Sequence, residues 1–179
     1  FDKAVTAKDV DAAADCVPPD YQKSTKTMLT ALKKIEDKNK AVKKTVDSKL
    51  GKETAEKVFG KEDSEDESPL KKAKKDGKID WNLIKINEKG DEATVEIDGR
   101  AVSSLNMVKI DGKWYVKPGN EKPEDIAKMA EKAGKHADAQ VKALSDFEKA
   151  VNDGKVTKDN AQQEYFKILG EAMKGMSED

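Results

Sequence analysis

The sequence predicts an α+β fold: N-terminal helices packed on a curved four-stranded antiparallel meander, followed by a C-terminal αα-hairpin. Three observations carry that prediction. Apolar residues recur at helical spacing in the first and last thirds of the chain, the period drops to two from Ile79, and two Asp-Gly pairs punctuate the period-two region.

The chain has 179 residues, enough for one domain or one domain with an appendage. Its charged fraction, 40%, is well above the usual value. Yet 35 basic residues against 36 acidic leave a net charge of −1, and disorder by composition needs a large net charge as well as low hydrophobicity. Solvated helix faces account for the charge. A near-neutral balance also supplies no global field to attract nucleic acid or an anionic membrane.

Residues 1–17 read as helix with a break near Lys8-Asp9, ended by Pro18-Pro19. A long helix is expected over 21–50, where Met28, Leu32, Ile35, Val42, Val46 and Leu50 form one apolar stripe and Gly51 is the C-cap. The short helix "KETAEKVFG" offers Val58 and Phe59 for burial. An acidic block then precedes a basic one in "KEDSEDESPLKKAKKDGK", read as a solvated loop, with a docking strip or an acidophilic phosphorylation target around Ser64 and Ser68 as the alternatives.

"IDWNLIKI", "EATVEID", "RAVSSLNMVKI" and "KWYVK" read as four strands. Asp98-Gly99 and Asp111-Gly112 are strong hairpin signals, because a primed two-residue turn needs positive φ at both central positions. Such a turn at Asp111-Gly112 sets Ile110 opposite Lys113, Val108 opposite Tyr115 and Met107 opposite Val116, whereas a type I turn with a glycine bulge, the lesser option, would shift the register by one. Leu105, Met107, Trp114 and Val116 then share one face, and Val108, Ile110 and Tyr115 the other. Val95 and Val102, opposite each other across Asp98-Gly99, are expected on that second face. The hairpin is apolar on both sides, as in a bent sheet with helices over one face and a pocket or partner over the other.

After Pro118-Gly119 a helix is expected from Pro123 to Val151, with a fray or kink at Gly134, and a last helix capped by Thr157. The domain reading is an α+β domain over 1–117 and a helical extension over 118–179.

Helices followed by a curved meander resemble the nuclear transport factor 2-like (cystatin-like α+β) superfamily, particularly bacterial exported or lipoprotein members of unknown function. "KDVDAAADCVPPDY", "GDEATVEIDG" and "MVKIDGKWYV" carry the resemblance, which covers 1–117. It implies a concave sheet face that encloses a small molecule or binds a protein, and in some members isomerase or dehydratase chemistry. It also implies an extracytoplasmic setting, periplasmic, secreted or lipid-anchored. The chain opens at Phe1 within a helical pattern. Upstream sequence is therefore expected to have been removed, as a cleaved export signal, a trimmed lipid tether or a deliberate truncation.

No stretch approaches a membrane span. Cys16, the only cysteine, reads as a small buried thiol, and His136, the only histidine, as a surface helix residue without an i/i+4 ligand partner. "VNDGKVTKDN" and "DGKID" lack the acids of a calcium loop, and no phosphate-cradling or nucleophile-elbow motif occurs. Asp80, Asp98 and Tyr115 are the nearest candidates for chemistry in a cone; they are better explained as a strand-edge residue, a turn residue and a core tyrosine.

The expectation is a non-enzymatic binding module without cofactor or metal. Val95, Val102, Val108, Ile110 and Tyr115 are its ligand- or partner-binding residues on the concave face, and the C-terminal helices are the other candidate surface. The partner is a protein or a small molecule, not nucleic acid. A small-molecule isomerase or dehydratase-like enzyme is the alternative, and a homodimer through the open sheet face a third reading.

Overall fold

A computed structural model of the chain describes residues 9–60, 74–75, 78–117 and 119–174. The expected α+β character is present: helices accompany a five-stranded antiparallel sheet that does not close on itself. The fold divides into two compact units, each drawn from two stretches of chain. One comprises Phe1–Lys26 with Asp66–Met129 and the other Thr27–Glu65 with Ala130–Asp179.

In the sheet-bearing unit, α1 spans Val10–Ala14. Its N-cap is Asp9, at the expected break, whose carboxylate accepts from the Ala12 amide at 3.0 Å. The expected helix ahead of Asp9 lies outside the described residues, as do 61–73 with Ser64 and Ser68. The flanking pairs β1 (Lys74–Lys75) and β2 (Lys78–Ile79) form a small separate antiparallel ladder.

The main sheet contains β3 (Ile84–Lys89), β4 (Glu92–Ile97), β5 (Arg100–Ala101), β6 (Met107–Ile110) and β7 (Lys113–Val116). Its order is β3-β4-β6-β7, and β5 also pairs with β4. Two of the four expected strands are shorter than the pattern implied. Trp81–Leu83 is a 3₁₀ turn, because the Asp80 carboxylate caps the Asn82 amide at 3.0 Å. Asp80 thus follows the end of β2 directly, as expected of a strand-edge residue, and also caps the turn. A second 3₁₀ turn, Ser103–Leu105, cuts the expected third strand into β5 and β6.

Both Asp-Gly turns have the left-handed geometry they were expected to need. Asp98 and Gly99 have φ of 51° and 71°, and Asp111 and Gly112 have 49° and 79°. Ile110 stands opposite Lys113, Val108 opposite Tyr115 and Met107 opposite Val116. The Val102 amide donates to the Val95 carbonyl at 2.8 Å. On the outer side of β7, the Val116 amide donates to the Cys16 carbonyl at 2.8 Å, so the turn after α1 occupies that sheet edge.

The helical unit contains most of α2 (Pro19–Leu50), α3 (Lys52–Phe59), most of α4 (Pro123–Asn152) and α5 (Ala161–Lys174). α2 begins two residues before the expected start, since proline is well suited to a first helical position, where its missing N–H costs nothing. Gly51, with φ of 90°, ends α2 and starts α3. α4 runs through Gly134 without a break. α5 starts at Ala161 instead of after Thr157: the Asn160 side chain accepts from the Thr157 amide at 2.7 Å, holding that stretch in a turn.

Fully buried Val42, Val46 and Phe147 centre the core of this unit, joined by Ala55, Val58, Leu144, Val151, Val156 and Ala161. Polar ties link α2 and α4 in the same sense along both helices. Lys34 pairs with Asp138 at 3.3 Å, and Glu148 accepts from Lys38 at 2.7 Å and Thr45 at 2.8 Å, so the two run parallel.

Replacing Gly112 by alanine meets no atom within 4 Å, so its cost is the left-handed backbone alone. We expect a loss of about 1 kcal/mol, read as a fall in melting temperature of roughly 2–4 °C. Hydrogen bonds from Lys38 and then Thr45 hold the Glu148 carboxyl below its ordinary value of 4.5. A depressed folded pKa stabilises above the unfolded value and is lost as pH falls through the folded one. The stability gap between wild type and Glu148→Gln should therefore be on the order of 1 kcal/mol at pH 7 and should close progressively in denaturant titrations below pH 4.5.

Candidate functional site

The sheet divides the five residues expected to share its concave face. Ala93 pairs with Met107 and Ile86 with Val95, so Val95 lies on the face of Ile84, Ile86, Ala93, Ile97 and Met107. Val102, opposite Val95, belongs there too; Val95, Ile97 and Val102 are buried together, with Ile84 and Leu105 packed on them. Glu92 pairs with Val108, placing Val108, Ile110 and Tyr115 on the other face.

The Ser103–Leu105 turn causes the division. Between Val95 and Ala93 there is one residue, but between their partners Val102 and Met107 there are four. The three additional residues are an odd number, so alternation inverts between β5 and β6, as at a bulge. Tyr115 is only 9% exposed, and Val95 and Val102 are buried as well; Val108 and Ile110 are half-buried. On the polar part of the Val108 face, Lys113 Nζ lies 5.0 Å from the centre of the Tyr115 ring.

Sequence reasoning did not find the groove in the helical unit. It encloses about 440 Å³, with Leu32, Ile35, Val58, Phe59 and Tyr165 as its apolar lining. Glu36, Asn39, Lys40 and Lys43 of α2 complete it. Leu32, expected in the buried stripe, is instead 63% exposed. Ser24, Ala31, Val42 and Val46 carry the buried line of α2, and at 100° per residue Leu32 sits about 80° round the helix from Val42. The signal available in the sequence was the small residue Ala31 standing where Leu32 was assigned.

Aromatic edges close the floor of the groove. The Tyr165 ring lies 5.2 Å from Phe59 and 5.3 Å from Phe147, each edge-to-face, and exposed Phe166 lies 5.5 Å from Tyr165. Burial pushes the Tyr165 hydroxyl above its ordinary value. At the rim Lys40 pairs with Glu36 at 2.6 Å, and Lys43 donates to the Gly60 carbonyl at 3.0 Å.

The other singled-out groups are tied into the fold. The Cys16 thiol, expected to be buried, is half-buried and donates to the Ala12 carbonyl at 3.3 Å, Asp98 is a turn residue, and His136 is exposed on α4. The resolved carboxylate shifts, at Glu53, Glu92 and Glu148, all run downward beside Lys57, Lys117 and Lys38 respectively. Among the described residues no group of three or more His, Cys, Asp or Glu is placed to hold a metal ion, and no helix is long and apolar enough to cross a membrane.

No protein-family model, curated protein or solved structure matches this chain.

Phe147 and Leu32 should separate the core from the groove surface. Truncating fully buried Phe147 to alanine is expected to cost about 3–5 kcal/mol. Leu32→Ser should stay within roughly 0.5 kcal/mol of wild type in urea unfolding.

Proposed function

We propose that the chain is a non-enzymatic binding module whose groove on α2, α3 and α5 receives apolar side chains of a protein partner. The observation that carries this reading is Leu32, 63% exposed beside the apolar floor made by Ile35, Val58, Phe59 and Tyr165. A large aliphatic side chain left in water next to an apolar trough gains by being covered.

The shape favours a segment of protein over a small molecule. Groove residues of α2 run from Leu32 to Lys43, about 16 Å at 1.5 Å per residue, or three helical turns. Such a trough fits an amphipathic helix laid along it, with apolar anchors at three- and four-residue spacing. Glu36, Lys40 and Lys43 at the rim would face the polar flanks of that segment.

The sheet reading has less support, because Val95, Val102 and Tyr115 are largely covered by the chain itself. The alternative, an isomerase or dehydratase-like enzyme in the cone, would call for a carboxyl raised toward neutrality. In the sheet the resolved carboxylate shift, at Glu92 beside Lys117, runs the other way. An exported or lipid-anchored setting is proposed on the family resemblance alone.

Display of random helical peptides on phage tests the groove. Selected peptides should share apolar anchors at helical spacing, bind the wild type, and lose at least tenfold in affinity for Leu32→Glu but not for a charge reversal at exposed Lys142. Peptides that bind wild type and Leu32→Glu alike, or a selection that yields none, would overturn the assignment.

A further inference from the structure

We propose that the outer edge of β3 is a self-association surface, on which a second copy of the chain pairs antiparallel with Ile86 opposite Ile86 across a two-fold axis. The inference is independent of the groove and rests on the backbone of the sheet.

β3 is the first strand in the sheet order, and among the described residues no strand pairs with its outer side. The direction of its backbone groups follows from the ladder with β4. The Asp98 amide donates to the Leu83 carbonyl at 2.8 Å, in line with the pairing of Ile84 to Ile97. Antiparallel ladders alternate hydrogen-bonded and non-bonded pairs. Lys85, Asn87 and Lys89 therefore bond inward to Glu96, Thr94 and Glu92, while the N–H and C=O groups of Ile84, Ile86 and Glu88 point out of the sheet.

Side chains at the same edge point to what would cover it. Ile86 stands opposite Val95, and Val95 opposite Val102. Val102 and Val95 are 8% and 7% exposed, but Ile86 is 49% exposed. This apolar row runs across the sheet and stops in water at the open edge. A second copy placed by a two-fold axis continues the same row in reverse, Ile86 then Val95 then Val102, and covers Ile86 with its own equivalent.

Charge selects the register. A two-fold normal to the sheet keeps each side chain on its own face, so the axis must lie midway between the two copies of one residue. At Lys85 it sets two lysines opposite each other; at Asn87 it sets Lys85 opposite Lys89; at Glu88 it opposes two carboxylates. At Ile84 the overlap runs into the Trp81–Leu83 turn. At Ile86, Lys85 faces Asn87 and Ile84 faces Glu88, with no like charges opposed. Ile86 is also an outward-bonding residue, so the central pair exchanges two backbone hydrogen bonds, as do both Ile84–Glu88 pairs.

Sedimentation velocity of the purified chain across a concentration series tests the pairing. Wild type should pass reversibly from monomer to dimer as concentration rises. Ile86→Pro removes the outward N–H together with the isoleucine side chain at the axis, breaks no hydrogen bond of the β4 ladder, and should weaken association at least tenfold with an unchanged circular dichroism spectrum. Should that variant fail to fold, Ile86→Lys, which opposes two ammonium groups at the axis, must give the same loss. Leu32→Glu should dimerise as wild type does, which separates this surface from the groove. A wild type that stays monomeric to about 1 mM, a dissociation free energy near 4 kcal/mol, would overturn the proposal, as would dimerisation undiminished in Ile86→Pro or Ile86→Lys.

Discussion

Alternation along the strands is the constraint on which the sheet-bearing unit depends. Asp98-Gly99 and Asp111-Gly112, each left-handed at both positions, leave no freedom in how their flanking strands pair. Between them, the Ser103–Leu105 turn adds an odd number of residues to one strand. One consequence is that Val102 is buried with Val95 and Ile97, while Val108, six residues later, faces the other way. A continuous strand would have put them together. The half-turn thus decides which apolar residues make the sheet's core and which go to its other side.

The helical unit solves a different problem, a shortage of apolar material in a chain that is 40% charged. Its buried residues are largely valine and alanine, which gain by close approach more than by bulk, around a single fully buried aromatic ring at Phe147. Phe59 and Tyr165 meet that ring edge-to-face, so three aromatic residues from three helices meet in one cluster. Lysines and acids on the α2 and α4 flanks add order at the boundary through Lys34–Asp138 and Lys38–Glu148. Covering everything with so few large side chains leaves Leu32 and Phe166 outside.

Register and helix placement were legible because their determinants are local. Asp-Gly dictates a turn type from two residues, and Pro123 marks a helix start that the fold respects. Ser103, Ser104 and Leu105 carry neither glycine nor proline, and with strand-like residues on either side nothing local separates a 3₁₀ turn from extended chain. Spacing alone likewise could not choose between Ala31 and Leu32 for the buried line of α2, since hydrophobicity favours the leucine and packing the alanine. The groove was illegible for a further reason. Its floor joins α5 to residues of α2 and α3 more than a hundred positions earlier, and only tertiary packing brings Tyr165 to Phe59. Asn160 displaced Thr157 as the organiser of the last turn by a side-chain bond of similar kind, a competition that composition does not rank.

The two borders of the sheet differ in kind. At β7 the Val116 amide already has a donor's role to the Cys16 carbonyl, so the polypeptide itself lies along that border. A sheet with two vacant borders is a template for run-on growth into fibrils, each addition exposing another site. With one border of the main sheet met by the N-terminal turn, pairing through that sheet has, among the described residues, a single template at β3, and one step would use it up.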